Sequence, residues 1–240
     1  MKKIYRIAFL FVLALFPGFA LAQEVMVAAG AGYRAPLLKI YKDFTAQTGI
    51  AVQPVFSNMR GVLSQLQRSG QIDLAIGQDA FLKTSTVLGS LRTIGQGTLV
   101  LAYAKDVRPG PLARLTEGDI TRIGLPNQGA VYGRMAQVAL RSAKLYARVE
   151  SKLIRGATVP QIGTYLATGE IDAGFINLSD ARSLGKRIGT YRRVDRSLYP
   201  PIRIVVGAAR GHEGRPQVQA FLKYLQGDAA RAVLVRYGLR

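Results

Sequence analysis

The feature that most constrains this chain is an alternation between apolar, β-rich runs and stretches with helical periodicity. Seven short apolar runs, rich in β-branched residues, are predicted strands: 25–29, 51–56, 73–76, 97–104, 122–125, 173–177 and 202–208. Apolar residues recur at helical spacing in the segments 35–48, 61–67, 131–143, 160–168 and 216–238, the last with room for one or two helices. This alternation predicts an α/β fold with mostly parallel sheets flanked by helices.

Two segments that contain proline, 105–111 and 199–201, mark the places where the chain is expected to pass between lobes. If the neighbouring strands at 97–104 and 202–208 both belong to the first sheet, the chain builds one lobe, crosses to a second and returns. The predicted lobes are residues 23–104 together with 203–240, and residues 105–202.

The first 22 residues have the layout of a secretory signal peptide. A basic head precedes an apolar run at 8–15, a break at Pro17 and a small-residue cleavage site that ends at Ala22. A membrane span needs about 18–20 apolar residues, and Pro17 keeps this run shorter. We expect cleavage after Ala22 and a soluble periplasmic product, without a lipid anchor because no Cys follows the site.

Composition excludes some chemistry and favours anionic partners. The absence of Cys excludes disulfides, thiolate metal sites and thiol catalysis. Lys and Arg total 33 against 14 acidic residues, a net charge of +19, and removal of the three basic residues of the leader leaves +16. A field of this sign attracts nucleic acid, anionic membranes or small oxyanions. The basic residues are scattered and lack an aromatic stacking platform, so nucleic acid or another polyanion is the least favoured of these partners.

The residues that common enzymatic reactions need are missing or isolated. The single His, His212, lies in a glycine-flanked segment that is expected to be exposed, without a companion for metal binding or proton transfer. No G-x-S-x-G elbow is present, and the carboxylates show no paired arrangement. Four aspartates near strand ends are expected to form caps or ion pairs: Asp73, Asp79, Asp172 and Asp180. The chain is therefore predicted not to be an enzyme and to need no cofactor or metal.

Four strand-to-helix turns are the candidate binding elements. The first contains Gly30-Ala-Gly32, but Ala35 replaces the third glycine of a dinucleotide fingerprint, and no P-loop is present. Such a turn still offers free backbone N–H groups and the positive end of a helix dipole, which together can hold an anion. Similar turns occur at 55–61, 125–133 and 156–159. Open α/β sheets bind ligands at such strand ends, so a cleft between the lobes is predicted.

The ordered set of motifs resembles the periplasmic molybdate/tungstate-binding proteins of ABC importers. The similarity covers nearly all of the mature chain and is carried by the turn after 25–29 and by four segments, which are 70–79, 126–140, 169–175 and 224–230. It implies a type II solute-binding protein, with two lobes that close on a tetrahedral dianion. It further implies a monomer with one ligand per chain, delivered to an ABC permease in the inner membrane.

The same resemblance indicates where this chain departs from the family. The family usually has a serine at the positions of Gly32 and Met59 and often a tyrosine at that of Asn177, so the usual hydroxyl donors are largely missing. Backbone N–H groups would then provide most of the site. The candidate ligand-binding residues are Gly32, Tyr33, Arg34, Asn58, Met59, Arg60, Tyr132, Val159 and Asn177.

Two ligand classes remain open because the roles of Arg34 and Arg60 are undecided. Arginine forks suit a carboxylate, a phosphonate or another anion with matching geometry. A cage of neutral N–H groups suits an enclosed oxyanion such as molybdate. If both arginines point to solvent, an enclosed oxyanion held by neutral N–H groups is favoured.

Overall fold

The computed structural model describes residues 24–239, so the signal peptide predicted over 1–22 lies outside the described residues. Within this range the strands are β1 (Glu24–Gly30), β2 (Ala51–Ser57), β3 (Leu74–Gln78), β4 (Leu88–Gly97), β5 (Leu99–Tyr103), β6 (Ile123–Pro126), β7 (Leu153–Gly156), β8 (Ala173–Asn177), β9 (Tyr191–Arg193) and β10 (Ile202–Ala209). The α-helices are α1 (Arg34–Thr48), α2 (Met59–Ser69), α3 (Asp79–Leu82), α4 (Val131–Ser142), α5 (Tyr146–Val149), α6 (Val159–Thr168), α7 (Leu178–Leu184), α8 (Pro216–Gln226) and α9 (Asp228–Arg236).

The seven predicted strands and the five predicted helical segments are present, and the last helical segment divides into α8 and α9 at Gly227. The strands missing from the prediction, β4, β7 and β9, all lie at sheet edges. Edge strands expose polar side chains, which weakens the apolar pattern that identifies a strand. The helices that were missed, α3, α5 and α7, have four to seven residues and are too short for a clear periodicity.

Two five-stranded sheets confirm the predicted two-lobed α/β architecture. Their strand orders are β2-β1-β3-β10-β4 and β7-β6-β8-β5-β9. In the first sheet β10 is antiparallel to both neighbours, and in the second β5 is antiparallel to both neighbours. The remaining strands of each sheet run in one direction, so each sheet is mostly parallel with one reversed strand. Among residues 24–239, no helix is long and apolar enough to cross a membrane.

The prediction that the strand at 97–104 belongs to the first sheet is wrong. Gly97 ends β4 and pairs with Ile202 of β10 in the first sheet, whereas Leu99 begins β5 and pairs with Asn177 of β8 in the second. The apolar run therefore contains the crossing point, at Thr98, and the proline-containing segment 105–111 lies within the second lobe. We propose that the second lobe extends from Leu99 to the residue before Ile202.

Both sheets are anchored by an aspartate at the start of a central strand. Asp73 precedes β3, where its carboxylate accepts hydrogen bonds from the N–H of Met26 (2.8 Å) and from Arg215 (2.8 Å). Asp172 precedes β8 and accepts from the N–H of Arg122 (2.8 Å) and from its guanidinium (2.7 Å). Burial raises the pKa of Asp172, but these bonds outweigh burial and hold the pKa below its ordinary value.

Three of the four strand-end aspartates form the predicted ion pairs, since Asp79 contacts Lys83 at 2.8 Å in addition to the pairs of Asp73 and Asp172. The expectation that His212 is exposed is wrong. Its side chain is 14% exposed, and Nδ1 lies 3.0 Å from Oδ1 of Asp73. The loop after β10 folds back onto β3, a contact that local sequence does not show.

We predict that Asp73→Ala lowers the free energy of unfolding by about 2–4 kcal/mol, because it leaves the Met26 N–H and the Arg215 guanidinium without their buried acceptor. Asp43→Ala is the matched control. Among residues 24–239, Asp43 forms only an i,i+4 ion pair with Lys39 on α1, so its loss should cost less than about 0.5 kcal/mol. Urea denaturation of both variants measures the difference. Equal losses would contradict an anchoring role for Asp73.

Candidate functional site

The four predicted turns meet at one small cavity between the two sheets. The cavity has a volume of about 20 Å³, close to the space that one water molecule requires, so only a small ligand suits this arrangement. The first lobe contributes residues 30–33 and 57–59, and the second contributes 130–132 and 158–159. Each group lies where a strand ends and a helical turn begins.

Helix N-termini dominate the chemistry of this cavity. Helix α2 begins after Asn58, whose Oδ1 accepts from the N–H of Gly61 (3.0 Å), and α6 begins after Thr158, whose Oγ1 accepts from that of Gln161 (3.3 Å). Helix α4 begins at Val131 without a side-chain cap. First-turn N–H groups have no acceptor within their own helix. The cavity therefore collects several N–H groups and the positive ends of helix dipoles, an arrangement that favours an anion.

Six of the nine candidate residues line the cavity: Gly32, Tyr33, Asn58, Met59, Tyr132 and Val159. One of their predicted donors is already used, because the N–H of Met59 donates to the carbonyl of Gly129 at 3.0 Å. This bond joins the start of α2 to the loop before α4. At Met59 the backbone thus holds the lobes together, and the remaining turns provide the donors for a ligand.

Arg34 and Arg60 lie outside the cavity lining. Arg34 is exposed, with its guanidinium carbon 4.6 Å from the centroid of the Phe56 ring. Arg60 is also exposed and borders a separate surface groove with Phe81 and Arg134. The expectation that these two arginines add charge to the site is not met by this geometry.

Asn177 lies behind Gly32 and is not among the lining residues. It is 1% exposed, and both ends of its carboxamide are occupied. Nδ2 donates to the carbonyl of Gly32 at 2.5 Å, while Oδ1 accepts from the N–H of Asp180 at 2.7 Å. The side chain expected to contact the ligand therefore caps α7 and contacts the opposite lobe.

Several lining residues were not among the sequence candidates, although all lie within the four turns: Gly30, Ala31, Ser57, Ala130, Val131 and Thr158. The signal that could have identified them is proximity in sequence, because each lies within two residues of a predicted residue. Ser57 has a specific structural requirement. A Cβ at Gly61 would lie 2.0 Å from Oγ of Ser57, so glycine at 61 leaves room for this hydroxyl at the start of α2.

A buried polar cluster adjoins the cavity. Tyr33 and Tyr132, each 2% exposed, meet edge to face with ring centroids 6.2 Å apart. Among the described residues, their hydroxyls and Oδ2 of Asp180 have no hydrogen-bond partner. Burial raises the pKa of both tyrosines and raises that of Asp180 to about 8. At neutral pH these groups are mainly uncharged, so they do not oppose an anion in the cavity.

Asp180 is the strand-end aspartate that does not follow the expected pattern. It lies in the first turn of α7, where a carboxylate would be favoured by the helix dipole, yet its burial outweighs that effect. Sequence reasoning missed it because the burial comes from packing between distant elements. Over residues 24–239, no group of three or more acidic or His side chains is placed to hold a metal ion.

Comparisons with known proteins identify similar solute-binding proteins over most of the chain. The family model described as bacterial extracellular solute-binding protein matches residues 25–240. A molybdate-binding protein ModA from Azotobacter vinelandii is 32% identical over 231 residues, which covers 91% of this chain and 90% of that protein.

Solved structures show the same fold. The periplasmic molybdate-binding protein of Azotobacter vinelandii superposes with a TM-score of 0.82 at 19% identity, covering 90% of this chain and 98% of that one. The sulfate-binding protein SubI from Mycobacterium tuberculosis gives a TM-score of 0.72 at 11% identity, covering 91% and 86%. These structural similarities concern the fold and not the ligand.

We predict that Asp180→Asn stabilises the protein increasingly as pH rises. The pKa of Asp180 is about 8 in the folded state and about 4 in the unfolded state. The free energy of unfolding therefore falls as the pH rises from about 4 to about 8 and is constant above that range. Asn carries no charge and removes this slope. Urea denaturation at pH 5, 7 and 8.5 should show a gain that grows to roughly 2–5 kcal/mol.

Asp228→Asn is the matched control for this experiment, because Asp228 also lies in the first turn of a helix but is exposed. For this control, the change in the free energy of unfolding should not grow with pH. A gain for Asp180→Asn that is the same at pH 5 and pH 8.5 would contradict the assigned pKa.

Proposed function

The chain belongs to the bacterial extracellular solute-binding proteins, and from this premise we propose that it is the periplasmic binding component of an ABC importer for a small tetrahedral oxyanion. The observation that carries the proposal is the cavity at which helix N-termini from both lobes converge. The anion is bound between the lobes, one per chain, and is delivered by the monomeric protein to a permease in the inner membrane.

The chemistry of the cavity favours an oxyanion held by neutral donors. Burying a charged ligand is costly unless hydrogen bonds replace most of its hydration. The first turns of α4 and α6 and the turn before α1 offer such bonds from several directions, as a tetrahedral ligand requires. Each neutral bond contributes about 0.5–1.5 kcal/mol net, so affinity depends on a nearly complete set.

Molybdate and tungstate are the proposed ligands, with sulfate as the principal competitor. Support comes from the molybdate-binding relative that is 32% identical over most of both chains. The carboxylate or phosphonate alternative depended on Arg34 and Arg60, and neither residue lines the cavity. The position of these arginines therefore favours the oxyanion.

A thermal-shift series with molybdate, tungstate, sulfate, thiosulfate, phosphate and small carboxylates tests the ligand class. We expect the melting temperature to rise most with molybdate or tungstate, because binding to the folded state alone adds about 2.7 kcal/mol at a hundredfold excess over Kd. The absence of a shift with every oxyanion would overturn the proposal. A shift with carboxylates alone would indicate the alternative ligand class.

A variant of Val159 tests whether backbone donors hold the ligand. Val159 is the first residue of α6, where proline is favoured, and Thr158 before it has the extended backbone that a following proline requires. Val159→Pro should therefore preserve the helix, remove one N–H and weaken molybdate binding at least about tenfold. Isothermal titration calorimetry measures this change.

Val159→Ala keeps the N–H and is the matched control for side-chain size. Arg34→Ala and Arg60→Ala should bind within about threefold of the unsubstituted protein, because their side chains lie outside the cavity. A large loss in either arginine variant together with normal binding by Val159→Pro would reverse the assignment of donors.

A further inference from the structure

The carbonyl of Gly32 accepts two hydrogen bonds from the opposite lobe. One comes from Nδ2 of Asn177 at 2.5 Å and the other from Oγ of Ser179 at 3.0 Å. Both donors are 1% exposed and lie at the start of α7, whereas Gly32 lies in the turn that follows β1. These bonds therefore cross between the two lobes next to the cavity.

The orientation of the Asn177 carboxamide is determined by its other contact. Oδ1 accepts from the N–H of Asp180 at 2.7 Å and caps α7. Nδ2 is then the only end of the carboxamide that can face the Gly32 carbonyl. A reversed carboxamide would place oxygen against oxygen at Gly32 and nitrogen against an N–H at Asp180.

Position 32 requires glycine because there is no room for a side chain, and not because of the backbone conformation. Its φ lies outside the left-handed region, so other residues could adopt the backbone. A Cβ at this position would, however, lie 2.6 Å from Nδ2 of Asn177 and 3.6 Å from Cβ of Val159. The Asn177 amide thus occupies the space into which a side chain at 32 would project.

We propose that Asn177 and Ser179 are positioning residues that hold the cavity turn at Gly32 in its binding geometry and link lobe closure to binding. This inference depends on the proposed oxyanion site. Gly32 itself lines the cavity. Two hydrogen bonds on its carbonyl therefore fix the position of this turn relative to the second lobe.

The bonds to the Gly32 carbonyl also depend on how the two lobes are placed. Asn177 and Ser179 donate only when α7 of the second lobe lies against the turn of the first. The turn at Gly32 is consequently held by both bonds only when the lobes are together.

Asn177→Ser separates this role from helix capping. Serine is as good an N-cap as asparagine, and it carries no charge, but it is too short to reach the Gly32 carbonyl. We expect the Kd for molybdate, measured by titration calorimetry, to rise about 10–100-fold, with most of the change in the dissociation rate. A residue that only caps α7 would leave affinity unchanged, so binding within twofold of the unsubstituted protein overturns the proposal.

Two serine variants on α7 extend the test. Ser179→Ala removes the second donor and should raise the Kd about 3–10-fold. Ser183→Ala is the matched control, since its hydroxyl donates to the carbonyl of Ser179 within the same helix, and its Kd should stay within twofold. Equal effects of the two variants would show that α7 acts only through its stability.

A double substitution tests the shared space directly. Gly32→Ala should weaken molybdate binding at least about 100-fold and lower the melting temperature without ligand, because Cβ meets the Asn177 amide. Adding Asn177→Ser should restore the melting temperature and return part of the affinity. A double variant no better than Gly32→Ala in both measurements overturns the spatial coupling.

Failure of the proposed function gives a different pattern from failure of this inference. If the unsubstituted protein binds no oxyanion, the proposed function is overturned and the positioning role with it. If it binds molybdate and Asn177→Ser binds equally well, only the positioning role is overturned.

Discussion

The structure depends on the convergence of helix N-termini at the boundary between two lobes. Such ends present N–H groups without helical acceptors and positive dipole ends, so gathering them is unfavourable unless acceptors are supplied. The protein supplies some acceptors itself, since the carbonyl of Gly129 accepts from Met59 and side-chain caps serve α2 and α6. The remaining donors define the cavity. Because an ionised acid beside them would compete with a ligand, the burial that keeps Asp180 protonated suits the same site.

Close packing at two glycines connects the cavity with the point at which the chain passes from the first lobe to the second. A Cβ at Gly97, the last residue of β4, would lie 2.1 Å from the hydroxyl of Tyr132, a cavity residue of the second lobe. The turn at Gly32 is fitted in the same way to Asn177. In both places a residue of one lobe occupies the space that a missing side chain leaves in the other. At these points a side chain of one lobe therefore packs against the backbone of the other. A longer side chain at either glycine could not easily be accommodated in such close packing.

Much of the fold could be predicted because β-rich runs and helical periodicity are local signals. The main topological error came from the run at 97–104, which is continuous in sequence but divides at Thr98 between two sheets. His212 was misplaced for a similar reason, because its contact with Asp73 joins residues far apart in the chain. The strand-to-helix turns that line the cavity could be located from the sequence, since such transitions with glycine are visible locally. The directions of Arg34, Arg60 and Asn177 were not, because side-chain direction depends on neighbours that only folding provides.

The sequence by itself determined the α/β class, the two-lobed organisation and the four turns that form the cavity, because each rests on short-range patterns of polarity and glycine. Only the tertiary structure decided which donors remain available. It directs Arg34 onto Phe56, uses the Met59 N–H for a bond between lobes and sets the Asn177 amide against Gly32. It also buries Asp180 so that its pKa rises to about 8. The physical reason is that hydrogen-bond partners and desolvation are properties of a packed arrangement, and a linear pattern specifies neither.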